Sequence, residues 1–186
     1  MDNMIELRGE GFLLRRWQAD DADALAVAAN HPAISRWLSG RFPYPYTHED
    51  ALRFLSGQVL DLADPVFAIV VDGRIAGGIG AHAEQPGRVE AMHSALLGYW
   101  LAPAHWGQGL MSRVVAGFTP WLMEARRLHR LAAHVFPDNL ASAAVLARNG
   151  FIEEGRMHLA VVKDGRPHDL RLFARVRAAL PGQPDG

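Results

Sequence analysis

The stretch Gly98-Tyr99-Trp100-Leu101-Ala102-Pro103-Ala104-His105-Trp106-Gly107-Gln108-Gly109-Leu110-Met111-Ser112 decides how this chain folds. It starts as the end of a β-rich run over 92–101, turns through Pro103 and two glycines, and continues as an apolar helical pattern over 109–127. Glycine allows the backbone conformations that a tight turn needs. The first N–H groups of a helix have no partner inside it, and together with the helix dipole they attract anions. The stretch therefore predicts a strand, a loop and a helix, with a phosphate site that requires no basic side chain.

Strands and helices alternate on both sides of this stretch. The β-rich runs predict strands over 11–17, 65–71, 74–83, 92–101, 129–135, 151–163 and 167–177. The helical patterns cover 20–30, 33–38, 47–60, 109–127 and 139–149. Asp72-Gly73 and Asp164-Gly165 are hairpin turn signals. Pro120 is expected to kink or break the long helix, because proline lacks the backbone donor.

This order predicts a single α/β or α+β domain with a mixed sheet. The domain is expected to span residues 1–180, and the Pro- and Gly-rich residues 181–186 are expected to form a disordered tail. A chain of 186 residues with 49% hydrophobic residues can bury one core of this kind.

The composition excludes several classes of function. A formal net charge of −1 does not favour binding to nucleic acid or to an anionic membrane. The chain has no cysteine, which rules out disulfides, thiolate metal sites and cysteine nucleophiles. The nine histidines form neither an HExxH motif nor a tight ligand pair on one helix, so no metal is expected. With no signal-peptide pattern and no apolar run of about 20 residues, a cytoplasmic protein is the expectation.

The glycine loop does not fit the two best-known phosphate loops. A P-loop needs Gly-Lys-Ser/Thr, which is absent. A dinucleotide fingerprint needs a small residue where Ser112 stands, and also an acidic residue after a second strand, which is missing. Taken alone, the loop leaves open a glycine-rich turn with no ligand.

A second motif, Asp138-Asn139-Leu140-Ala141-Ser142-Ala143-Ala144-Val145-Leu146-Ala147-Arg148-Asn149-Gly150-Phe151, is a short helix that begins at Asn139 and ends in Gly-Phe. With the glycine loop and the closing hairpin KDGRPHDLRLFAR (163–175), the chain resembles the GNAT superfamily of acyl-CoA N-acyltransferases. Within it, the chain is similar to the Rim-type branch, which acetylates the N-termini of ribosomal proteins. The resemblance runs from about Leu13 to Arg177. It implies a mixed, largely antiparallel central sheet with helices on both faces and a splayed strand pair that holds acyl-CoA.

The resemblance also implies acetyl-CoA as the co-substrate and direct acyl transfer without a metal. The strand 97–101 would bind the pantetheine arm through its backbone, with Tyr99, Trp100 and Leu101 near the thioester. A backbone N–H near Trp100 or Leu101 would polarise the thioester carbonyl. Asn139 matches a residue that contacts the coenzyme, and Ser142 matches the position proposed to protonate the leaving thiolate. The pyrophosphate would be held by the loop residues Trp106, Gly107, Gln108, Gly109, Leu110, Met111 and Ser112.

The general base does not follow from the resemblance. Its usual positions in relatives hold Leu96 and Val161 here, and the tyrosine acid of other branches is Leu146. The substitutes near strand ends are His82, Glu84, His93 and His158. We select His82, because it ends the strand next to the slot and histidine titrates near neutral pH. For each substitute, the role of an exposed or structural polar residue is the simpler interpretation.

The loop 36–46 is expected to shape the acceptor site through Trp37, Phe42 and Tyr44, with a small satellite core as the alternative. The predicted acceptor is the α-amine of a protein N-terminus. Two alternatives stay open: an enzyme that acetylates a small amine, such as an amino acid, polyamine or aminoglycoside, and a non-catalytic CoA-binding sensor. A homodimer is also left open.

Overall fold

Five α-helices and eight strands form between residues 5 and 177, the part of the chain that the computed structural model describes. The strands are β1 (Glu6–Gly9), β2 (Phe12–Arg16), β3 (Val66–Val71), β4 (Arg74–Ala83), β5 (Ser94–Leu101), β6 (Arg130–Val135), β7 (Ile152–Lys163) and β8 (Arg166–Val176). The helices are α1 (Ala22–Ala29), α2 (Pro32–Ser35), α3 (His48–Leu55), α4 (Leu110–Ala125) and α5 (Leu140–Arg148). The tail predicted over 181–186 lies outside the described residues.

The eight strands form one sheet in the order β1-β2-β3-β4-β5-β6-β8-β7. Every neighbouring pair is antiparallel except β5 and β6, which run parallel. Those two strands pair only from Ser94 opposite Arg130 to Leu96 opposite Ala132. Beyond this point β5 continues to Leu101 and β6 to Val135 without pairing with each other, although β5 stays paired with β4 and β6 with β8. The predicted mixed, largely antiparallel sheet is confirmed, and the two central strands separate to leave a gap in it.

Helices cover both faces of the sheet. On one face, the fully buried Val114, Phe118 and Leu122 of α4 join the main core. On the other face, α1 and α3 enclose a second cluster that includes Leu25, and Trp100 packs against it. Successive residues of a strand point to opposite faces, which explains why Trp100 belongs to the second cluster while its strand neighbours Tyr99 and Leu101 contact the main core.

Two local features differ from the sequence prediction. Strand β1 pairs with β2 but was not predicted, because its four residues are mostly exposed and carry no clear apolar alternation. Helix α4 contains Pro120 and is not broken by it. Ala116, whose carbonyl would have bonded to residue 120, is exposed like Pro120 itself, so water can satisfy the freed carbonyl.

Within residues 5–177, none of the helices has both the length and the apolar character that crossing a membrane requires.

Candidate active site

The loop between β5 and α4 depends on two glycines in left-handed conformations. Gly107 has a φ of 73° and Gly109 a φ of 69°, a region that other residues adopt only at a cost. Gly109 is also the N-cap of α4, and no side chain caps the helix there. The first N–H groups of this 16-residue helix are therefore free to bind an anion.

Side chains around the loop support binding of an anionic ligand. The hydroxyl oxygen of Ser112 is buried and has no hydrogen-bond partner, although the residue lines a cleft. Such a group is costly to leave unpaired, and a phosphate oxygen would satisfy it. The Arg113 guanidinium fixes the loop by donating to the carbonyl oxygens of Gln108 (3.1 Å) and Glu10 (3.1 Å). These features fit the pyrophosphate of a coenzyme.

A cleft of about 600 Å³ occupies the gap between β5 and β6 and extends to the start of α4. The structure brings most of the predicted site residues to it. Those lining it are Trp37, Tyr99, Trp100, Leu101, Trp106, Gly107, Gly109, Leu110, Met111, Ser112, Asn139 and Ser142. Gln108 does not line the cleft, since its side-chain amide turns back and donates to the Ala104 carbonyl oxygen at 3.0 Å.

On the core side of the cleft, Ser142 is held by two neighbours. The Asn139 side-chain oxygen caps α5 by accepting a hydrogen bond from the Ser142 backbone N–H (3.1 Å). The Ser142 hydroxyl lies 2.9 Å from the Tyr99 hydroxyl, and either can donate. Burial raises the pKa of Tyr99 to about 12, against the opposing effect of this hydrogen bond. Tyr99 is thus a neutral phenol at physiological pH and can donate a hydrogen bond to Ser142.

The opposite side of the cleft carries His134, a residue that the sequence analysis missed. It lies on β6, two residues beyond Ala132, the last position that pairs with β5. His134 is exposed toward the cleft. Partial burial lowers its pKa, His82 lowers it further, and Glu84 acts in the opposite direction. The signal in the sequence was a single titratable residue within the apolar run Leu131–Val135.

His82, the base predicted from the sequence, is exposed on β4, where it pairs with Leu96. It does not line the cleft. Leu96 and Val161 occupy the two positions where relatives usually carry the base. Leu96 pairs with His82, and Val161 on β7 pairs with His168. Neither Leu96 nor Val161 can accept a proton, so both strand positions are chemically inert here.

The three predicted acceptor residues occupy different environments. Trp37 lines the cleft, and its ring lies 6.3 Å from that of Phe136. Phe42 packs against Trp100 (5.5 Å between ring centroids) in the second hydrophobic cluster. Tyr44 is 53% exposed, and neither it nor Phe42 lines the cleft. Their role in acceptor binding stays a prediction.

Among residues 5–177, no three histidine, aspartate or glutamate side chains are grouped so that they could hold a metal ion.

A splayed parallel strand pair, a glycine loop that opens a helix, and a hydroxyl pair beside the gap define an acyl-CoA N-acyltransferase. Residues 12–152 match the acetyltransferase (GNAT) domain family, and the chain therefore belongs to that family. The predicted class of enzyme, an acetyl-CoA-dependent N-acetyltransferase of the Rim-like branch, is confirmed.

Two sequence relatives and one solved structure illustrate the similarity. The chain is 32% identical over 103 residues to the N-acetyltransferase YoaA of Bacillus subtilis, a match that covers 55% of this chain and 56% of that protein. It is 28% identical to the ribosomal-protein-serine acetyltransferase of Escherichia coli, over 81% of this chain and 90% of that protein. The structure of Mycobacterium smegmatis RimJ in complex with CoA-disulfide superposes with a TM-score of 0.80 at 28% identity, covering 96% of this chain and 88% of that one.

Proposed function

We propose that this enzyme transfers the acetyl group of acetyl-CoA directly to the α-amine of a protein N-terminus. The observation that carries the choice of acceptor is the chemistry of the cleft, because none of the described residues that line it is aspartate or glutamate. A polycationic acceptor, such as a polyamine or an aminoglycoside, needs carboxylates to balance its charge. A peptide N-terminus carries one amine and needs no acidic cleft. The similarity to a ribosomal-protein acetyltransferase points the same way.

In this proposal the coenzyme lies along the gap in the sheet. The free N–H groups at the start of α4, together with Gly107, Gly109 and the Ser112 hydroxyl, bind the pyrophosphate. The pantetheine arm pairs with the β5 backbone beyond Leu96, where β6 no longer does, in the manner of an added strand. Asn139 positions the start of α5 beside it.

The reaction then needs one proton donor and one proton acceptor. The neutral amine attacks the thioester carbonyl carbon, and a backbone N–H near Trp100 or Leu101 stabilises the developing oxyanion by about 3 kcal/mol. When the C–S bond breaks, the Ser142 hydroxyl gives its proton to the thiolate, and Tyr99 holds that hydroxyl in place. The amine must also lose a proton as it attacks. The sequence predicted His82 as the base, but His82 lies outside the cleft.

Thiol release from acetyl-CoA, measured across a panel of acceptors, tests the proposal. The panel contains peptides with free N-termini, the same peptides acetylated beforehand as matched controls, and spermidine, an aminoglycoside and free amino acids. We expect turnover with the free peptides alone. Turnover confined to small amines would overturn the proposed acceptor. Coenzyme binding by calorimetry without any turnover would favour the sensor instead.

A further inference from the structure

We infer that the imidazole of His134 takes the proton from the acceptor amine, an assignment that rests on the proposed function and identifies the base its site requires. His134 lies on β6, two residues beyond the last position that pairs with β5.

His134 points away from the main core, toward the face of the sheet that carries the second hydrophobic cluster. Leu131, Ala133 and Val135 of β6 belong to the main core. Because side chains alternate along a strand, His134 faces the opposite side. His134 lines the cleft from that face. The Ser142 hydroxyl lies on the other face, where it contacts the hydroxyl of Tyr99, a residue that packs against the main core. The two proton-transfer groups thus lie on opposite sides of the gap, where the acceptor amine and the leaving thiolate separate.

Between residues 5 and 177, no other titratable residue that lines the cleft can take this role. Besides His134, these residues are Tyr99, His105 and Arg148. The guanidinium of Arg148 has donors and no acceptor, and the pKa of Tyr99, about 12, keeps that phenol protonated. His105 belongs to the 3-10 turn Pro103–His105, beyond the end of β5 and next to the glycine loop. Among the described residues, His134 is therefore the remaining proton acceptor beside the gap between β5 and β6.

The charges around His134 suit a base that cycles between two states. Burial and His82 lower its pKa from the ordinary value of about 6.5, so the imidazole is neutral at physiological pH and ready to accept a proton. Glu84, which directly follows β4, acts in the opposite direction and stabilises the imidazolium once it forms. Glu84 is itself held by the Ser94 hydroxyl and lies 3.8 Å from the Arg130 guanidinium.

The other groups around His134 supply little further charge. On its own strand, Arg130 is neutralised by two hydrogen bonds to Glu154 (2.6 and 2.9 Å). From β8, the residue opposite His134 is the uncharged Leu172. His82, on β4 and two strands away in the sheet, lowers the pKa of His134 from outside the cleft.

The proton balance is complete without any further reagent. The amine nitrogen forms a bond to the acetyl carbon and loses one proton to a His134 ring nitrogen, directly or through one water. The C–S bond breaks, and the thiolate takes the Ser142 proton. His134 then releases its proton to solvent and Ser142 is reprotonated, so an amine and acetyl-CoA become an amide and CoA.

The test compares kcat of the wild type with that of His134→Gln, His82→Gln and His129→Gln, using the best acceptor of the wild-type panel. His134→Gln keeps a polar side chain of similar size but cannot take up a proton near neutral pH, and we expect a loss of roughly 100-fold or more. His82→Gln is expected to lose less than about tenfold, and to move the acid limb of the pH profile upward because a pKa-lowering neighbour is gone. His129, exposed beside His93 and outside the cleft, is the matched control, with unchanged kcat expected.

Two further readouts separate catalysis from folding. His134→Gln should bind CoA as the wild type does in calorimetry, and its loss of rate should shrink at high pH, where hydroxide can take the amine proton in place of the imidazole. A His134→Gln rate within about threefold of wild type, or a larger loss in His82→Gln than in His134→Gln, would overturn the assignment while leaving the proposed function intact. A wild type that turns over no acceptor at all would instead overturn the proposed function, and with it the need for a base.

Discussion

Three substitutions of Gly109 separate the effects of backbone strain, side-chain bulk and negative charge on coenzyme binding. Gly109 has a φ of 69°, and a Cβ placed there would lie 3.4 Å from the Arg113 guanidinium. Gly109→Ala introduces only backbone strain, which for a left-handed residue is about 1–2 kcal/mol of folding free energy. Gly109→Gln adds bulk at the N-cap of α4. Gly109→Glu adds the same bulk and a negative charge.

The difference in CoA affinity between Gly109→Gln and Gly109→Glu measures the repulsion between the added carboxylate and the bound pyrophosphate. Two unit charges about 4 Å apart at an effective dielectric of about 20 interact by about 4 kcal/mol. Gly109 is exposed, so solvent and salt screen part of this energy. We therefore expect a loss of about 3 kcal/mol, or about 100-fold in the dissociation constant of CoA, for Gly109→Glu relative to Gly109→Gln.

Isothermal calorimetry with CoA, at low and high salt, measures these differences, and thermal unfolding confirms that each variant is folded. The gap between the Glu and Gln variants should narrow at high salt, because the repulsion is electrostatic. Equal affinity of Gly109→Glu and Gly109→Gln for CoA at low salt would refute the placement of the pyrophosphate at this helix start.

Three further substitutions probe the rest of the cleft. Ser142→Ala should lower kcat at least tenfold with little change in CoA affinity, because its hydroxyl acts only as the thiolate leaves; an unchanged kcat would remove Ser142 from catalysis. Burial raises the pKa of Tyr99 from 10.0 to about 12, so the folded state holds this proton more tightly than the unfolded state. The resulting stability, about 3 kcal/mol, is present below pH 10 and lost as the pH rises toward 12. Tyr99→Phe should flatten the fall in unfolding free energy over that range, and denaturation curves as steep in pH as those of the wild type would count against a buried, neutral Tyr99. A Cβ at Gly98, which lines the cleft, meets no atom within 4 Å. Gly98→Val should therefore fold normally but lower kcat/KM for the acceptor at least tenfold, whereas Gly155→Val, equally unobstructed on β7 outside the cleft, should not; equal kinetics of the two variants would argue against an acceptor path over Gly98.

Local signals predicted most of the fold. The hairpin turns at Asp72-Gly73 and Asp164-Gly165 have positive φ at both residues, as their sequence requires. Asn139 caps α5 through its own side chain, and Gly150 follows the helix with a φ of 76°. These features depend on the nearest few residues, so the sequence reveals them directly.

The chemistry of the cleft was harder to predict, because it depends on residues far apart in the chain. Tyr99 and Ser142 are 43 positions apart, and their contact arises only once β5 and α5 pack together. In the sequence, His134 is one polar residue in an apolar strand. In the structure, β5 and β6 separate before this position, which places His134 in the cleft. Strand pairing, and not local pattern, determines which histidine faces the gap.

Mass spectrometry of one acceptor peptide shows which nitrogen atom the enzyme acetylates. The peptide carries a free N-terminal α-amine and an internal lysine, and it is incubated with acetyl-CoA and the wild-type enzyme. A single acetyl group on the α-amine, absent when Gly109→Glu replaces the wild type, is the predicted result. Acetylation of the lysine side chain, or no acetylation by a wild type that binds CoA, would contradict the account.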